Sequence, residues 1–151
     1  VSGPGVKQAG VINHSVLHVM DILPTFLESA GVEHPAKKQG STVAPPQGKS
    51  MWPLLAGRET VTRTDSDWLG WELFGNRAIR QGDWKLLYLL KGAGGTGDWE
   101  LFNLREDPAE LHDLSAKYPD KRKALLQLWD EYVKRNGVIV SEAGPYAQQK
   151  P

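Results

Sequence analysis

Two hydrophobic periods divide this chain, with a polar stretch between them. Across residues 14–30 the apolar residues Val16, Leu17, Val19, Met20, Leu23, Phe26 and Leu27 recur at mixed three- and four-residue spacings. That spacing predicts an amphipathic helix with a broad apolar face, ended by Gly31 as a carboxyl-terminal cap. Pro24 admits a second reading. The helix can begin near Asp21, making Asp21 its N-cap and placing Pro24 in the first turn, where a missing N–H costs nothing. Residues 32–50 carry proline and glycine punctuation without a period, which predicts a loop. MWPLLAG, from Met51, predicts a short apolar turn or helix, and RETVTRTDSD after it reads as a polar linker.

Past that linker the pattern turns to strands. WLGWELFG (68–75), NRAIR (76–80), WKLLYLL (84–90) and WELFNL (99–104) are rich in aromatic and aliphatic residues and are bounded by turn residues. Four strands on short connections predict an antiparallel sheet. Gly82 can supply the positive φ of a tight turn between the second and third. Alternation puts Trp84, Leu86 and Tyr88 on one face, and Lys85, Leu87 and Leu89 on the other. Arg77 and Arg80 then fall on opposite faces, so these cations need not converge on one anion. Glu72 and Glu106 are their first candidate partners.

From Pro119 to Asn136, Leu125, Leu128, Trp129 and Tyr132 fall at i, i+3, i+4 and i+7. Pro119 suits a first helical turn, Lys134 and Arg135 suit the last, and Gly137 stops the helix. This helix is expected to cover one face of the sheet. The fold class is therefore α+β, a four-stranded antiparallel sheet packed by a carboxyl-terminal helix. The polar linker is the best domain boundary, and the tail from Ser141 has no pattern.

Composition narrows the chemistry. Among 151 residues, Lys plus Arg and Asp plus Glu number 18 each, so no global field favours nucleic acid or an anionic membrane. No apolar run approaches the roughly 20 residues of a membrane-spanning helix. The absence of cysteine removes disulfides, zinc thiolates and thiol nucleophiles together and leaves the compartment open. VSGPGVKQAG lacks the basic start and apolar core of a signal peptide and looks like a chain entered in mid-loop.

No complete catalytic constellation emerges from the residues. His14, His18 and Asp21 have a spacing that can ligate a metal on a helix, but they read better as a helix-start histidine with a capping aspartate. KGAGGTGD (91–98) lacks the phosphate-loop order and precedes a strand, so a flexible hairpin connection is expected. Asp107-Pro108 and Asp113-Leu114-Ser115 read as turn and capping elements.

Four stretches in order resemble the carboxyl-terminal part of the sulfatase family, particularly bacterial arylsulfatases. They are HVMDILPTFLESAGV, GKSMWPLLAG, NRAIRQGDWKLLYL and WELFNLREDPAELHDLS, together spanning residues 18–115. The resemblance implies an alkaline-phosphatase-like parent, with residues 1–60 closing its large α/β domain and 61–151 forming its small domain. It implies partners too: a missing amino-terminal catalytic domain and a sulfate ester substrate, with no nucleic acid and no membrane.

In that family a formylglycine, made from Cys or Ser in a C/S-x-P-S/A-R motif, and a calcium ion held by Asp and Asn carry the chemistry. Neither is expected in this chain. Ser2-Gly3-Pro4 is followed by Gly5 and Val6, and no Asp-Asp or Asp-Asn pair occurs. No catalytic or metal residue is carried over. His14 and the glycine loop, through Lys91, Gly94 and Gly95, are the candidates for a substrate rim, and the isolated chain is expected to be inactive. A stand-alone interaction module, or the tail of a related phosphonate or phosphate ester hydrolase, are the rival readings.

Overall fold

The computed structural model describes residues 1–7 and 10–140, in two compact units divided between Thr64 and Asp65. The tail from Ser141 lies outside the described residues. In the first unit a 3-10 turn, Val19–Asp21, runs into helix α1 (Ile22–Ala30), so the helix starts where the second reading of Pro24 puts it. Asp21 does not cap it as expected. Its carboxylate turns back to accept from the His18 amide at 2.7 Å, while His18 Nδ1 accepts from the Met20 amide at 3.2 Å. Gly31 ends the helix at φ +65°.

The expected loop at 32–50 holds a miniature hairpin, β1 (Lys37–Lys38) and β2 (Ser41–Thr42). Gln39 and Gly40 turn between them with φ of 50° and 84°. Positive φ at both central residues is the twist a two-residue hairpin needs. Its strands are exposed and polar, so no apolar alternation announced it. Helix α2 (Trp52–Leu55) completes the unit as the MWPLLAG stretch predicts.

The second unit is a meander, β3 (Trp68–Leu73), β4 (Asn76–Gln81), β5 (Trp84–Tyr88) and β6 (Trp99–Asn103), in sequential antiparallel order. Helix α3 (Pro119–Asn136) lies over one face. Register sets Gly70, Ile79, Leu86 and Leu101 in one row across the four strands. Ile79, Leu86 and Leu101 are fully buried under Leu125 and Trp129 of α3. Each such side chain contributes about 1.5–3 kcal/mol by leaving water.

Gly70 is small because Tyr132 lies over it. A Cβ there would come within 2.5 Å of the Tyr132 ring. Gly70→Ala is therefore expected to destabilise this unit by about 1–3 kcal/mol through overpacking. An unchanged urea midpoint would show that the ring swings aside freely.

The outer edge of β6 is occupied by the segment that follows it. The Leu101 amide donates to Asp113 Oδ1 at 2.8 Å, and the Leu101 carbonyl accepts from the Leu114 amide at 2.8 Å. The Trp99 carbonyl accepts from the Ser115 hydroxyl at 3.2 Å. Asp107 meanwhile accepts from the Leu111 and His112 amides, each at 2.8 Å. Both aspartates thus act as turn and capping groups, as their positions predict.

Candidate functional site

The residues singled out by the sequence fall in both units. His14 lies in the first, exposed in a stretch outside helix and strand. His18 and Asp21 do not form a metal site with it: among the described residues no three His, Cys, Asp or Glu side chains are placed to hold an ion. Asp21 already has its cation. Arg63 donates from Nη1 to Oδ2 at 2.5 Å and from Nη2 to Oδ1 at 2.6 Å, and the Lys49 amide adds a bond to Oδ1 at 2.9 Å. The two side chains are 0% and 6% exposed.

Burial by itself would raise the Asp21 pKa. The Arg63 hydrogen bonds, the His18 and Lys49 amides and the Arg63 charge outweigh it and hold the carboxyl below its usual range. The stretch read as a polar linker therefore supplies a buried cation. Arg63 also donates to the Val16 carbonyl at 3.3 Å.

Thr25 extends the clasp. Its hydroxyl donates to the Asp21 carbonyl at 2.6 Å and accepts from the Met51 amide at 2.9 Å. Gly48 lies so close to the Met20 carbonyl that no Cβ fits between them. Asp21, Thr25 and Gly48 belong to the D-I-L-P-T and G-K-S stretches that carry the family resemblance, and here they lock one stretch onto the other.

The glycine loop, which joins β5 to β6 as expected, has internal structure of its own. Lys91–Ala93 form a 3-10 turn. The Ala93 and Gly95 amides donate to the Leu90 carbonyl at 2.8 and 3.1 Å. Those of Gly94 and Gly97 donate to Lys91 and Leu89 at 3.2 and 3.0 Å. These four N–H groups are turned inward and are not free to bind an anion. Lys91 and Gly94 are exposed, and Gly95 is pressed against the Leu89 backbone.

The hairpin cations separate as alternation predicts. Lys85 pairs with Glu110, at 2.6 and 2.9 Å to its two oxygens, instead of with Glu106. Arg80 donates Nε to the Gly82 carbonyl at 2.9 Å. Arg77, on the α3 side, stands opposite Glu72 across the ladder and 4.6 Å from the centre of the Tyr88 ring. On the far face Arg80, Lys85 and Glu110 border a cleft of about 490 Å³ floored by Trp71, Ala78 and Leu87.

A four-stranded meander closed by one helix, following a helix whose D-I-L-P-T start is clasped to the G-K-S stretch, is the carboxyl-terminal part of a sulfatase of alkaline-phosphatase-like fold. The chain belongs to the family described as N-sulphoglucosamine sulphohydrolase, C-terminal, which it matches over residues 1–136. It is 40% identical to an uncharacterized sulfatase of Schizosaccharomyces pombe, over 91% of this chain and 25% of the relative. Arylsulfatase K of Bos taurus is 28% identical over 84% of this chain and 23% of its own length. A solved 2-O GAG sulfatase superposes with a TM-score of 0.62 at 25% identity, covering 99% of this chain and 33% of that one. The chain thus spans about a quarter of the curated relatives it matches. No helix among the described residues is long and apolar enough to cross a membrane.

The sequence holds no cysteine and no C/S-x-P-S/A-R order, and among the described residues no three His, Cys, Asp or Glu side chains are placed to hold an ion. No step of ester cleavage is assigned to these side chains.

Proposed function

We propose that this chain is the carboxyl-terminal portion of a sulfuric ester hydrolase whose catalytic domain lies upstream. Residues 1–60 close that domain, and residues 61–151 form the small supporting domain. The match over residues 1–136, on a chain spanning only a quarter of its relatives, carries this reading. The first unit adds physical support. Val19, Leu23 and Phe26 around α1 are 73%, 50% and 67% exposed. An apolar patch of that kind belongs under another piece of protein, and the upstream catalytic domain is its natural cover.

In the parent, formylglycine and calcium come from the upstream domain, and the substrate is a sulfate ester, as the names of the arylsulfatase and GAG sulfatase relatives suggest. His14, Lys91, Gly94 and Gly95 remain candidates for the substrate rim. Of these, Lys91 brings an exposed cation, while the loop glycines contribute shape only.

The isolated chain is expected to turn over no aryl sulfate above buffer, with or without calcium. Turnover by highly purified chain would overturn the reading. An upstream reading frame containing C/S-x-P-S/A-R and giving active enzyme would support it, and a native start codon directly before Val1 would favour a stand-alone interaction module.

A further inference from the structure

Between α3 and the sheet runs a continuous series of aromatic rings. Tyr88 and Trp99, Trp99 and Trp129, and Trp129 and Tyr132 each lie 5.5 Å apart between ring centres. Tyr132 also stands edge-on to Trp68 at 6.3 Å. Apolar packing accounts for rings in contact, but not for the charges placed along them. Arg77 lies over Tyr88 at 4.6 Å from the ring centre, and Arg135 over Trp68 at 5.9 Å. Tyr118, which pairs with Trp84 outside the series, has the Lys117 ammonium over it at 5.2 Å. Tyr132 instead feels a carboxylate: burial, and with it the charge of Glu72, holds its phenol protonated above the usual tyrosine range.

A cation over a ring opposes removal of an electron from it, and an anion beside a ring favours it. A phenol that gives up its proton with the electron is also oxidised more easily than an indole. Both effects slope toward Tyr132.

We propose that Trp99, Trp129 and Tyr132 form a one-electron relay, which draws an oxidising equivalent out of the core of this unit and ends at the Tyr132 phenol. Trp99 is half-buried and is the point of entry. A one-electron oxidant takes an electron from its indole, and the Nε1 proton leaves to water. An electron from Tyr132 then passes through Trp129 to Trp99, which regains a proton, while the Tyr132 phenol releases its own to solvent. Both indoles are restored and one phenoxyl radical remains. Tyr132 is half-buried, so a small reductant such as ascorbate reaches it and returns the electron and the proton.

Pulse radiolysis of the whole 151-residue chain with the azide radical, which oxidises indoles first, tests the relay. Indolyl absorbance is expected to decay as phenoxyl absorbance rises, with a first-order rate independent of protein concentration and slowed in heavy water. Tyr132→Phe keeps a ring over Gly70 and should remove most of the rise, whereas Tyr88→Phe and Tyr118→Phe should leave it. In a Trp68→Phe background, which removes the direct neighbour of Tyr132, Trp129→Phe should slow whatever rise remains. Near-ultraviolet circular dichroism of each variant confirms that the aromatic core is still packed. A rise unchanged by Tyr132→Phe, lost in Tyr88→Phe or Tyr118→Phe, or proportional to protein concentration would overturn the proposal. So would a rise that survives unchanged when the chain is unfolded in urea, since the relay exists only where the rings are stacked.

Discussion

Arg63→Ala is expected to cost the first unit about 3–5 kcal/mol, the range for removing one partner of a buried ion pair. Asp21 would keep two amide donors but lose the Arg63 cation, and its side chain has no exposed surface through which water could compensate. The variant should shift the urea midpoint and speed hydrogen exchange at the His18 and Lys49 amides. A loss below about 1 kcal/mol would mean the pair behaves like one at the surface. Replacing both partners, Asp21→Leu with Arg63→Met, should recover much of the loss, because the desolvation penalty leaves with the charges. A double variant as unstable as Arg63→Ala would instead assign the effect to the amide hydrogen bonds.

The same pair fixes a pH dependence. Asp21 has its pKa lowered in the folded chain, so the unfolded state takes up the proton first. Its contribution is complete above about pH 4, the range of an ordinary aspartate, and is lost as pH falls through the lower folded value. Arg63→Ala should flatten that acid limb.

Trp129→Ala carries the largest effect expected in the second unit, about 3–5 kcal/mol. Trp129 is 5% exposed, and its ring centre lies 5.5 Å from those of both Trp99 and Tyr132. Removing it opens a cavity between α3 and the row Ile79, Leu86 and Leu101 while ending two aromatic contacts. Amide exchange in β4, β5 and β6 should quicken together. Asp130→Ala, on the exposed side of the same helix, should stay within about 0.5 kcal/mol of the parent chain. Equal effects of the two substitutions would refute the orientation of α3.

What was legible in the sequence was whatever local periodicity determines. Leu125 and Trp129 do face the sheet, and Leu86 and Lys85 do part to opposite faces, because helical and pleated geometry allow little else. Arg63 was not legible as a core cation. Its partner is 42 residues away, and a threonine-rich polar stretch has the same composition whether its arginine is solvated or buried. Lys85 found Glu110 and not Glu106, since Glu110 adopts φ +56° at the end of the 107–110 turn, a conformation composition does not announce. The internal bonding of the glycine loop was not legible for a related reason. Glycines permit mobility, but here they also permit the close returns to Leu89 and Leu90 that hold the loop together.

The filled margin of β6 limits how copies of this chain can associate. Fibrous growth by strand addition needs two free margins per copy, one to accept and one to offer. With Trp99 and Leu101 already bonded to Asp113, Leu114 and Ser115, one margin is withdrawn. Whatever happens at β3, such growth through the four-stranded sheet ends at a pair. The short D-L-S sequence after the sheet is thereby a chain terminator for assembly as well as a clamp for folding.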